Sequence, residues 1–186
     1  MSDDTQPAPS ELDPFDPGEF GLSNDPDVVV ELASETDTRR LGSHFARHLD
    51  TGGFIGLVGE LGSGKTTFVK GLVEALSARE AVRSPTYTLL HHYETEPPTI
   101  HVDLYRLDTY DELETTGYWD FVEARGVIAC VEWLDRIPGA WPGSGHVVEL
   151  RHTDDRRRIG RIWLEEGSGG DFADELDEAF SDGLDG

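Results

Sequence analysis

Cysteine occurs once, at Cys130, so no disulfide can form within one chain and the framework of a small secreted domain is excluded. Lysine occurs only at Lys65 and Lys70, and the other 13 bases are arginine. No apolar run approaches the roughly 18 residues that suggest a membrane-spanning helix. Met1-Ser2-Asp3-Asp4 lacks the basic and apolar regions of a secretory signal. These absences lead to the expectation of a cytoplasmic protein with no membrane partner. No segment recurs at the roughly 20- to 50-residue period of repeat arrays. At 186 residues the chain is about one domain long and can bury a sizeable core.

Base is scarce and acid is not: the net charge is −23 at pH 7. Residues 1–27 hold eight acids and no Lys or Arg, and residues 167–186 hold seven and none, which leaves 23 acids against 15 bases in the body. Both ends are rich in Asp, Glu, Pro, Gly and Ser, the composition of disordered tails. We therefore expect a folded domain over 28–166 between two acidic tails. The scarcity of lysine fits either a salt-rich cytoplasm or a GC-rich genome. Such a charge argues against gripping nucleic acid directly, since phosphate contact needs clustered bases. The one dense basic cluster, Arg156-Arg157-Arg158 with Arg161, is small and reads as a solvated hairpin face.

What the sequence does contain is Gly59-Glu60-Leu61-Gly62-Ser63-Gly64-Lys65-Thr66, the phosphate-binding pattern G-x-x-x-x-G-K-[ST] at every fixed position. Gly59, Gly62 and Gly64 let the loop turn successive N–H groups inward around an anion. Lys65 supplies positive charge for the outer phosphates, Thr66 a hydroxyl for Mg²⁺, and the following helix the positive end of its dipole. The flanks agree. Phe54 to Val58 is an apolar run of buried-strand length, and Phe68, Val69, Leu72, Val73 and Leu76 recur at helical spacing.

Around this loop the pattern predicts strand 28–32, then a helix from a Ser34 cap through Leu49, with Asp37 favouring its N-terminus. Arg83 to Leu90 reads as a turn entering a strand, in the place where nucleotide-dependent switch segments lie; it carries Ser84, Thr86 and Thr88. Ile100 to Leu104 is an apolar strand ending beside Asp103, a placement that P-loop enzymes use to hold Mg²⁺, although His101 interrupts the apolar run. Residues 111–122 read as short helices broken at Gly117. Val127 to Glu132 is the most strand-like run, with Glu132 at the end of an α/β sheet where ligands bind. His146 to Arg151 and Ile159 to Leu164 form a predicted antiparallel hairpin. The fold class is α/β: a three-layer P-loop NTPase fold with a mostly parallel central sheet and antiparallel edge strands.

Four segments in order, GELGSGKTTF, VRSPTYTL, HVDLYRL and VEW, resemble the TsaE (YjeE) family of small ATPases in bacterial threonylcarbamoyladenosine (t6A) synthesis on tRNA. The resemblance runs from about Val28 to Leu164. It implies that Gly62, Ser63, Gly64, Lys65, Thr66 and Thr67 wrap the phosphates of ATP, and that Thr66 and Glu132 ligate or orient Mg²⁺ with Asp103 as a further acidic residue. It implies that Ser84 and Thr86 belong to a switch region, and that Glu35 and Arg157 lie near the nucleotide. It also implies partners, a complex of TsaD with TsaB that ATP hydrolysis resets between turnovers, with tRNA met only through that complex. The family usually has Pro after Glu-Trp, and Leu134 stands there instead, from which we expect a changed loop geometry.

The guanine-reading N-K-x-D motif and the L-S-G-G-Q signature of transporter ATPases are both lacking. Two other readings of the same residues stay open: a small-molecule kinase, and a binding module in which nucleotide acts as a switch.

Overall fold

The computed structural model describes residues 15–49, 52–76, 89–153, 157–168 and 170–180. The predicted switch residues Ser84 and Thr86 lie outside them.

β1 (Val28–Leu32) alternates buried and exposed residues, the mark of a strand covered on one face. The Ser34 side chain then caps α1 (Glu35–His48), accepting from the Asp37 N–H at 3.2 Å while its hydroxyl donates to the Asp37 carboxylate at 2.8 Å. β2 (Gly53–Val58) leads into the glycine loop and α2 (Lys65–Ala75). β3 (Leu90–Tyr93) and β4 (Thr99–Asp103) precede α3 (Tyr110–Thr115) and α4 (Tyr118–Val122), which Gly117 separates. β5 (Ile128–Glu132), the hairpin β6 (His146–His152) and β7 (Arg158–Trp163), and α5 (Gly170–Phe180) complete the order.

The seven strands form one sheet in the order β1-β7-β6-β2-β5-β4-β3. β6, β2, β5 and β4 run parallel, whereas β1, β7 and β3 pair antiparallel at the edges. The sheet is therefore mixed, parallel in its centre. The parallel strands are buried on both faces, which is why they read as continuous apolar runs. On one face Leu41, Phe45, Phe68 and Leu72 of α1 and α2 pack with Ile55, Leu57 and Cys130. The two helices approach closely because Gly42 faces the Phe68 carbonyl and Gly71 the Arg39 carbonyl, where any Cβ would collide. On the other face Leu113, Tyr118, Leu134 and Ile137 pack with Val102, Val131 and Val147.

Parts of both expected tails, residues 15–27 and 170–180, pack on the body; residues 1–14 and 181–186 lie outside the described residues. Within 167–186, α5 aligns Phe172, Leu176 and Phe180 four residues apart, all buried against the α1 face, and turns its acids outward. Average composition hides such a stripe, and each buried side chain contributes about 1.5–3 kcal/mol. Within 1–27, residues 15–27 lie on the body. Phe15 packs on Trp163 with ring centroids 5.3 Å apart, Phe20 is buried, and Asp27 accepts from the Leu164 N–H at 2.8 Å.

Candidate functional site

The parallel strands all end at one edge of the sheet, where an open α/β fold gathers its ligands. β2 delivers the glycine loop there. Gly59, Gly62 and Gly64 take φ of 130°, 77° and 110°, angles that a side chain opposes, and a Cβ on Gly59 would strike the Leu150 carbonyl. The loop closes onto α2, whose first turn has no side-chain cap, so its N–H groups are available to an anion.

Lys65 is 4% exposed, with its ammonium donating to the carbonyls of Gly59 at 2.6 Å and Glu60 at 2.9 Å. It also sits 3.6 Å from the centroid of the Trp133 ring, a cation–π contact. Burial lowers its pKa to about 8, against the opposing pull of Glu132, Asp135, Asp103 and Glu60. At neutral pH it stays mostly charged, and a phosphate would raise its pKa again.

Trp133 reaches this position through a strained backbone. Its φ of 61° makes it the one non-glycine residue with positive φ among those described, and its N–H donates to the Leu57 carbonyl at 2.9 Å. Such a conformation costs on the order of 1–3 kcal/mol. The reversal turns the chain off β5 and into a short 3-10 turn over Leu134–Arg136. Leu134, where the family usually has Pro, is fully buried over Gly56, a position with no room for a Cβ.

Next to Lys65 stands a set of acids. Parallel register places Asp103 of β4 opposite Glu132 of β5, each at the end of its strand. The Thr66 hydroxyl donates to both Glu132 oxygens, at 2.8 Å and 3.1 Å, joining α2 to β5. Asp103 accepts from the Tyr105 N–H at 3.0 Å, and burial pushes its carboxyl above the usual range. Among the described residues no group of three or more His, Cys, Asp or Glu side chains is placed to hold a metal by itself. A hydroxyl with one or two carboxylates nevertheless fits Mg²⁺, which keeps several waters and takes its remaining ligands from substrate phosphates.

The other predicted residues are placed differently. Ser63 is buried with its hydroxyl 3.5 Å from the Lys65 ammonium, and Thr67 follows in α2. Glu35 opens α1 with its carboxylate paired to Arg39 at 3.1 Å, and Arg39 also reaches Glu74 of α2. Arg157 is exposed at the hairpin, its carbonyl accepting from the Thr153 N–H at 3.1 Å. Its neighbour Arg158 turns inward, so that a Cβ on Gly64 would lie 3.4 Å from the Arg158 Nε. Arg158 thus lies beside the loop.

Three further groups gather around the site. Asp135, three residues past Glu132, is held by burial at a pKa of about 6, and one of its oxygens is buried without a hydrogen-bond partner among the described residues. Glu149 is buried on β6 between Arg151 at 2.6 Å and Arg161 at 3.0 Å. His101, the residue that interrupts the β4 apolar run, places its Nε2 2.7 Å from the Glu132 Oε1. The available signal was the polar residue itself, in a run that an apolar one would have filled.

Comparison with known proteins bears on this geometry. The family model described as "Threonylcarbamoyl adenosine biosynthesis protein TsaE" matches residues 32–159. A TsaE protein of Nostoc sp. is 41% identical over 136 residues, covering 72% of this chain and 83% of its own. One of Aquifex aeolicus is 40% identical over 137 residues, covering 72% and 94%. Both are described as tRNA threonylcarbamoyladenosine biosynthesis proteins. The crystal structure of YdiB from Bacillus subtilis superimposes with a TM-score of 0.60 at 26% identity, over 84% of this chain and 95% of that one.

Proposed function

The chain belongs to the TsaE family, and from that premise we propose that it is an ATPase required for t6A modification of tRNA, coupling Mg-ATP binding and hydrolysis to turnover of a TsaB–TsaD transferase complex. The observation that carries this reading is the joining of Thr66 to Glu132 beside the Lys65 loop, at the end of the parallel strands. A hydroxyl suited to a metal, a carboxylate able to orient water and an ammonium suited to phosphate together support this reading.

In this reading the N–H groups of Gly62 to Thr67 and the Lys65 ammonium hold the phosphates, with Arg158 adding charge from the hairpin. Thr66, Glu132 and Asp103 would hold Mg²⁺, which when bound offsets charge on the outer phosphates. Glu132 and Asp103 orient the attacking water. Glu35 and the switch residues Ser84 and Thr86 complete the nucleotide site. Partner proteins supply the tRNA contact, in keeping with a chain of net charge −23, and the work takes place in the cytoplasm without a membrane. Among the described residues no helix is long and apolar enough to cross one.

The test is ATP hydrolysis by the full chain at high and low KCl, with and without TsaB and TsaD from the same source. Turnover that is low alone and rises with the pair is the expected result. Failure to bind the pair and no stimulation at any salt would sink the coupling, and transfer of phosphate to a metabolite would identify a kinase.

A further inference from the structure

β4 is buried at every position, an environment that favours apolar side chains, yet His101 stands in its middle with no exposed surface. Burying an imidazole is unfavourable unless its nitrogens are satisfied. One is: Nε2 lies 2.7 Å from the Glu132 Oε1. The other, Nδ1, is buried with no hydrogen-bond partner among the described residues. A proton on Nδ1 would therefore be a buried donor with nothing to receive it, so the proton belongs on Nε2, where it donates to the carboxylate.

The consequence falls on Glu132. Its Oε1 receives two donors, the Thr66 hydroxyl at 2.8 Å and the His101 Nε2–H, whereas among the described residues Oε2 has only the longer Thr66 contact at 3.1 Å. Oε1 is thus anchored from two elements, and Oε2 retains lone pairs to direct at a water or a cation. The imidazole is itself held, facing His91 across the β3–β4 register and lying near-parallel to the Tyr93 ring at 6.4 Å.

We propose that His101 is a positioning residue for the hydrolytic reaction, locking the Glu132 carboxylate through an Nε2–H donor so that Oε2 faces the reacting water. The proposal rests on the reading of Glu132 given above. His101 touches no reacting atom; it acts through the carboxylate that does.

The test compares the full chain with H101L, H101Q, E132Q and the double variant H101L/E132Q in Mg-ATP hydrolysis, with the TsaB–TsaD pair present. H101L removes the donor and is expected to lower kcat about 10–100-fold while shifting KM by less than about threefold. Its melting temperature should not fall, because leucine suits a buried strand. H101Q, whose amide reaches the place of Nε2, should restore most of the loss. The double variant should be no slower than E132Q alone, and further slowing would overturn the proposal. So would wild-type kcat in H101L, or equal losses in H101L and H101Q. E132Q turning over normally would overturn the reading of Glu132 itself, whereas slow E132Q with normal H101L would overturn only the role of His101. A readout independent of turnover, the imidazole ¹⁵N spectrum of the nucleotide-free protein, should place the His101 proton on Nε2; a proton on Nδ1 would refute the lock.

Discussion

The molecule makes histidine–glutamate contacts of nearly equal length in two places, and their surroundings set their worth. At the sheet edge His101 meets Glu132 at 2.7 Å, with both side chains buried. Between α1 and α5, the partly exposed His48 and the buried His44 meet Glu175 of α5 at 2.8 Å and 2.9 Å, with Arg47 adding a third donor at 3.1 Å. Hydrogen bonds from His48, Arg47 and His44 hold the Glu175 carboxyl down at about 2. Yet the Glu175 side chain is 39% exposed, so solvent screens much of that field, and surface pairs of this kind contribute little. The buried pair lies wholly out of solvent, whereas the half-exposed cluster joins a helix that apolar burial already holds. Distance alone would rank them equal.

The largest expected break is at the buried end. Lys65→Ala removes the ammonium from the phosphate loop and should weaken nucleotide affinity about 100-fold or more, read by titration with a fluorescent ATP analogue. Unchanged affinity would remove Lys65 from the site. At the α1–α5 interface the apolar stripe is the sensitive point. Leu176→Ala should cost about 2–5 kcal/mol in denaturant unfolding or in amide protection of α5, with hydrolysis per folded molecule unchanged.

A pH effect links that interface to the sheet. His146 packs between the Phe45 and Phe172 rings, and burial, helped by His48, lowers its pKa to about 4. The unfolded chain takes up this proton near its ordinary 6.5 and the folded protein resists it. Stability is therefore complete above that value and falls by on the order of 3 kcal/mol as the pH drops to about 4. His146→Gln should flatten the slope measured by urea unfolding across the same window. The smallest effect belongs to the surface cluster. Glu175→Gln should cost under about 1 kcal/mol at neutral pH, less in high salt. Because its folded pKa is depressed, that contribution is present above 4.5 and fades as the pH falls toward about 2. A loss at Glu175 as large as that at Leu176 would reverse the comparison.

The nucleotide loop, the Ser34 cap, the central strands and the hairpin were legible because each rests on local rules: glycines at fixed spacing, a capping hydroxyl, apolar runs of strand length. The packing of residues 15–27 and the helix over 170–180 were hidden for the opposite reason. Composition averages over Phe172, Leu176 and Phe180, and only their four-residue spacing reveals a helix with one apolar face. Within the site, Asp103 and Glu132 were visible as acids at strand ends, since both close apolar strands that run parallel. His101 was visible as an anomaly in β4, and only the diagonal between neighbouring strands turns the anomaly into a contact. Placing Arg158 beside Gly64 needs the fold of the hairpin over the loop, which no local pattern supplies.

Among the described residues β1 pairs only with β7, Val28 lying opposite Ile162. During synthesis the first strand therefore leaves the ribosome on the order of ten seconds before its partner exists. Until then its backbone donors and acceptors along one edge are unmatched, and the apolar side of α1 has neither a completed sheet nor α5 to cover it. The fold cannot close strand by strand from its beginning; it must wait for its end, and a chain stopped short of β7 would present that waiting edge to chaperones and to other nascent copies of itself.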